Sequence, residues 1–65
     1  MDSNLLKVFV EVVKEKSITK AAINLNFAQS NITSRIKQLE KSIGTVLFHR
    51  VPKGVVLTKE GEKLY

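Results

Sequence analysis

Gln29, Ser30, Thr33 and Ser34 open a stretch, residues 28–39, that reads as a helix with one dry side and one side fit to touch a polar partner. At about 100° per residue, Ile32, Ile36, Leu39 and Ile43 fall in one stripe, while Ser30, Ser34, Lys37 and Lys41 point the opposite way. Small hydroxyls, an amide and two cations stand where a solvated helix usually carries a Glu/Lys mixture. Such a face can approach another molecule closely, and it attracts an anion. The major groove of B-DNA is about 12 Å wide and admits one α-helix, whose first turns present side chains to base edges. Glutamine pairs bidentately with adenine, serine and threonine donate or accept, and a threonine methyl meets a thymine methyl. Gln29, Ser30, Thr33 and Ser34 therefore read as base-contacting residues.

Arg35 joins that set with a wider choice of chemistry. It projects about 60° off the Ile stripe, and it suits a guanine, a phosphate, or a stem laid over apolar surface. Lys37 and Asn31 suit the DNA backbone, as do Ser17, Thr19 and Lys20, which offer hydroxyls, N–H groups and charge at the start of the preceding helix. Arg50 and Lys53 complete the backbone set, Lys53 at the tip of a Pro52-Lys53-Gly54 turn that would lie along the backbone or in the minor groove. Glu40, the one acid between Lys16 and Lys53, is expected to pair with Arg35, Lys37 or Arg50.

Catalysis has little to build with. A nucleophile needs a nearby base and a hydrolytic metal needs several ligands, but the chain holds one histidine and no cysteine. His49 reads as an exposed or half-exposed strand residue. Gly44, Gly54 and Gly61 are scattered singly, so no phosphate-cradling loop is present. Neither enzyme activity, a metal nor a cofactor is expected.

The whole is bounded by size and charge. At 65 residues, 43% of them hydrophobic and 26% charged, the chain can form one small domain with a thin core. The net charge of +5 favours an anionic partner. From Lys16 to Lys53 the basic residues are Lys16, Lys20, Arg35, Lys37, Lys41, Arg50 and Lys53 against Glu40, so the positive excess lies in the middle of the chain. A generic solvated basic surface would account for charge alone, but not for its position behind a tight turn. No long apolar run or signal peptide is legible, and the chain reads as soluble, intracellular and cytoplasmic.

The elements that must hold these residues follow from periodicity and caps. Leu5, Leu6, Phe9, Val12 and Val13 mark a first helix capped by Asp2 or Ser3. Ser17 caps a second, short helix bearing Ile18, Ala21, Ala22 and Leu25, whose alanines allow close helix packing. Asn26, Phe27 and Ala28 are all that separate it from a third helix running from about Gln29 to Ile43, with Gly44 as its stop. Val46 to Val51 and Val55 to Leu57 read as a small hairpin around Pro52-Lys53-Gly54. Thr58 caps a fourth helix, in which Gly61 costs about 1 kcal/mol of propensity. An ending in mid-helix points to a fragment of a longer protein.

Ser17-Ile18-Thr19-Lys20-Ala21-Ala22, Gln29-Ser30, Ile36-Lys37-Gln38-Leu39-Glu40, Gly44, Leu47-Phe48-His49-Arg50 and Leu57-Thr58-Lys59-Glu60-Gly61 together resemble the N-terminal DNA-binding domain of LysR-type transcriptional regulators. The resemblance runs over practically the whole chain. It implies a mainly α fold, a winged helix-turn-helix of three helices, a short β-hairpin wing and the start of a linker helix. Residues 1–57 would be the DNA-binding domain and 58–65 the beginning of the linker or dimerisation helix, without the effector-binding domain. It also implies a third helix in the major groove of double-stranded DNA, with Gln29, Ser30 and Thr33 where the family reads bases. The operator would be an interrupted inverted repeat bound by a homodimer or tetramer of the full-length protein, under control of a small-molecule effector. This chain alone would be a monomer or weak dimer with reduced affinity. Two departures stand out: Ala28 replaces a frequent Ser or Thr cap, and Ser34 replaces a frequent arginine, with Arg35 one step on. The competing expectation is a winged-helix protein-interaction module whose basic surface meets an acidic partner. A membrane-surface role is not expected.

Overall fold

The computed structural model describes residues 3–65. Three helices come first, α1 (Ser3–Glu15), α2 (Ile18–Leu25) and α3 (Gln29–Ile43), followed by strands β1 (Phe48–Val51) and β2 (Gly54–Leu57) and a last helix α4 (Lys59–Leu64). The architecture is the mainly α winged helix-turn-helix expected from the sequence. Of the two caps expected for α1, Asp2 lies outside the described residues, and Ser3 is already helical.

Each connection has a local cause. The Ser17 side chain accepts a hydrogen bond from the Lys20 N–H at 3.1 Å, satisfying one of the free donors at the start of α2. Asn26 ends that helix in the left-handed region, at φ 60°, and the Phe27 N–H reaches back to the Ala22 carbonyl at 2.8 Å. The turn into α3 is tight in consequence. Ala28 begins α3 without a side-chain cap. Gly44 ends it at φ 84°, with its N–H on the Glu40 carbonyl.

The core is where α1, α2 and α3 meet. Phe9, Val12, Ala21, Ile32, Leu39 and Leu47 are almost entirely removed from water. Two edge residues differ from the sequence-based expectation. On α1 the buried stripe includes Val8, while Leu6 is 38% exposed. On α3 Ile32, Ile36 and Leu39 are buried, but Ile43 is 38% exposed because the stripe outruns the helices that cover it. Asn24 ties α2 to α1 by donating to Glu11 and Glu15, both at 2.9 Å.

The hairpin is antiparallel, with Phe48 opposite Leu57 and Val51 opposite Gly54 across a two-residue turn. It begins at Phe48, so Val46, expected to start the strand, is an exposed linker residue. Phe48 packs on Phe9 with ring centroids 5.4 Å apart. Thr58 is buried and fastens α4: its hydroxyl donates to the Val46 carbonyl at 2.7 Å and accepts from the Gly61 N–H at 3.0 Å. Gly61 is there for space, since a Cβ would collide with the Leu47 carbonyl oxygen. What reads in the sequence as a propensity cost is the condition for seating α4 on the β1 approach.

Candidate nucleic-acid interface

The site is assembled by the wing. Gly54, at φ 146°, stands so close to the α1–α2 connection that a Cβ would strike the Lys16 carbonyl oxygen, and the next residue, Val55, donates its N–H to that same oxygen at 3.2 Å. Lys16 adopts φ 54° to present it. The hairpin is thereby pinned beside the start of α2, and its turn is set beside the first turns of α3.

An open cleft of about 330 Å³ results, bounded by the α2 N-terminus, the first turns of α3 and the hairpin. Ser17, Thr19, Gln29, Thr33, Arg50 and Lys53 line it. These residues come from three elements, and the fold brings them to one concave, mostly polar wall. Gln29, Ser30 and Ser34 are exposed, and Thr33 is half-buried at the cleft. Neither the core nor the hairpin hides the polar face of α3. Lys20, Lys37 and Lys41 are also exposed, so their charges face solvent.

Below the cleft, Thr33, Lys37, Glu40 and Arg50 border a smaller hollow together with Ile18, Phe48 and Val55. Glu40 does not act as the expected ion-pair partner. Its Oε2 accepts from the Leu47 N–H at 2.8 Å and the Phe48 N–H at 3.3 Å, capping the approach to β1 and fixing the hairpin against α3. Backbone donors carry no signature in a sequence, which is why the partner was not legible there.

Asn31 and Arg35 stand apart from the cleft. Arg35 donates from Nε to Asn31 Oδ1 at 2.8 Å, and its Cζ lies 5.1 Å from the centroid of the Phe27 ring. His49 is an exposed strand residue opposite Val56. Among the described residues no group of three or more His, Asp or Glu is placed to hold a metal ion, and no helix is long and apolar enough to cross a membrane.

Comparison with known proteins agrees with this geometry. The family model described as bacterial regulatory helix-turn-helix protein, lysR family, matches residues 3–62. The HTH-type transcriptional regulator GltR of Bacillus subtilis (strain 168) is 48% identical over 64 residues, covering 98% of this chain and 22% of its own length. The chain thus spans about a fifth of the length of the curated relatives it matches. Among solved structures, a CbnR DBD–DNA complex is similar with a TM-score of 0.95 at 33% identity, covering 98% of this chain and 74% of that one. A BenM DBD complex with catB site 1 DNA gives 0.94 at 40% identity, covering 100% of this chain and 73% of the other.

Proposed function

The chain belongs to the lysR family of bacterial regulatory helix-turn-helix proteins, and from that premise we propose that it binds double-stranded DNA in a sequence-dependent way to control transcription. The observation that carries the reading is the cleft in which Ser17, Thr19, Gln29, Thr33, Arg50 and Lys53 converge on one polar, basic wall. The CbnR and BenM domains of the same shape are described as DNA complexes. In this reading α3 enters the major groove, and Gln29, Ser30, Thr33 and Ser34 meet base edges. Ser17, Thr19, Lys20 and Lys37 take phosphates, and Arg50 and Lys53 lie along the backbone or minor groove. The chemistry is recognition, without a catalytic step, and its place is the cytoplasm where the DNA is.

Residues 1–57 form the reading domain in this proposal, and 58–65 lead into a linker helix. A full-length protein of this kind would pair as a homodimer or tetramer on an interrupted inverted repeat and answer to a small-molecule effector. The relatives' remaining length leaves room for both roles.

The test is selection of duplexes from a random-sequence library, followed by titration across a salt series. Phosphate neutralisation makes log affinity fall steeply with log salt, and base reading leaves a preference over unrelated duplexes. No duplex binding at low salt would overturn the proposal in favour of an acidic protein partner.

A further inference from the structure

Arg35 is held at two points on the flank of α3 away from the hairpin. Its Nε–H donates to Asn31 Oδ1, one turn earlier, and its guanidinium carbon sits over the Phe27 ring. Phe27 is fixed in turn, packed against the core and bonded through its N–H to the Ala22 carbonyl at 2.8 Å. A free arginine loses rotamer freedom when it captures an anion, whereas this one is ordered before any partner arrives. The bond to Asn31 uses Nε and leaves the edge formed by the two Nη groups, a planar fork that takes a phosphate through two parallel hydrogen bonds.

Position on the helix selects the partner. By the 100° repeat Arg35 stands about 160° around α3 from Lys37, and Asn31 is on its own flank. Thr33 and Lys37 border the hairpin side. A helix in the major groove has a phosphate wall on either side. We propose that Arg35 is a pre-set clamp for a DNA phosphate on the wall across the groove from the hairpin. Asn31 is its positioning residue and does not touch DNA itself. This rests on the duplex binding proposed above. It moves Arg35 from the base-contacting to the backbone-contacting set, and it makes the expected backbone role of Asn31 an indirect one.

A double-mutant cycle tests it. Affinities are measured for a library-selected duplex and an unrelated duplex, over a salt series, for wild type, Asn31→Ala, Arg35→Lys and the double variant, with thermal midpoints alongside. Asn31→Ala is expected to weaken both duplexes by the same factor, about two- to tenfold, the range of one lost side-chain pre-ordering. It should add nothing in the Arg35→Lys background. Arg35→Ala should lower the slope of log affinity against log salt by about 0.9, one phosphate. Phe27→Leu, which keeps an apolar side chain and removes the ring, should repeat the Asn31→Ala pattern. A loss on Asn31→Ala that persists in Arg35→Lys means direct contact and overturns the proposal. So does a change of base preference at a single position on Arg35→Lys. Wild type that binds and discriminates while the cycle is additive sinks this inference alone; wild type with no salt-dependent binding sinks the underlying reading with it.

Discussion

The Val55 N–H donates to the Lys16 carbonyl oxygen at 3.2 Å, and this one bond joins the wing to the connection between α1 and α2. Residues far apart in sequence are brought edge to edge by it, and the cleft that holds Thr19, Gln29 and Lys53 owes its shape to that junction. A Cβ at Gly54 would strike the Lys16 carbonyl oxygen, which shows how closely the two backbones approach. Together with the Glu40 carboxylate on the Leu47 and Phe48 amides, the Val55 to Lys16 bond holds the base of the hairpin and leaves its Pro52-Lys53 turn exposed.

Gly54→Ala is therefore expected to be costly. The new methyl meets the Lys16 backbone, which cannot yield as a flexible side chain would, and a residue with a Cβ is strained at φ 146°. Destabilisation of about 2–3 kcal/mol is expected, read by urea denaturation. Duplex affinity should fall further than the folded fraction explains, because the wing is displaced. A variant as stable as wild type would show that the junction is looser than its geometry.

Glu40→Ala removes the acceptor shared by the Leu47 and Phe48 N–H groups. Hydrogen bonds to a charged group contribute about 1.5–3 kcal/mol, so a loss in that range is expected in thermal or denaturant unfolding. Glu40→Gln keeps an acceptor oxygen without the charge and should lose less. Equal losses for the two variants would mean that the carboxylate acts by charge on α3 and Arg50, and not by capping the strand.

Gln29 and Lys53 should separate base reading from backbone attraction. Gln29→Ala is expected to relax preference at one base position by about 1–3 kcal/mol. Lys53→Ala should weaken all duplexes alike and reduce the salt slope by about 1. The two profiles are read from one library selection and one salt series. Unchanged preference on Gln29→Ala would place the reading residues elsewhere on α3.

What the sequence made legible were features written in local chemistry. Ser17, Asn26 and Gly44 mark the bounds of α2 and α3 because a capping oxygen or a left-handed turn needs those residue types. The polar face of α3 was legible because hydroxyls and amides replaced the usual charged mixture. Less legible was which edge of a broad apolar arc is covered: Val8 and Leu6 flank the α1 stripe on opposite sides, and only packing chooses between them. Contacts to backbone were hidden altogether, as with Glu40 on two strand amides and Gly61 beneath the Leu47 carbonyl. The engagement of Arg35 with Asn31 was within reach, since residues four apart share a helix face, but nothing in the spacing announced the ring of Phe27 beneath it.

Ala28 offers a gain where the other changes bring losses. It occupies the N-cap of α3 at φ −70° and ψ 149°, the extended conformation from which a serine oxygen reaches the amide two or three residues on, yet alanine supplies no acceptor. Its side chain is exposed, so a hydroxyl enters without displacing the core. Ala28→Ser is expected to raise the unfolding free energy by about 0.5–1 kcal/mol, measured as a shift in the urea midpoint at unchanged slope. In the proposed docking the start of α3 enters the groove, where a phosphate or base would meet amides that no side chain caps. If those amides contribute to DNA affinity, the same variant binds duplexes more weakly while folding more stably. A variant that gains in both would show that the bare end of α3 has no part in recognition.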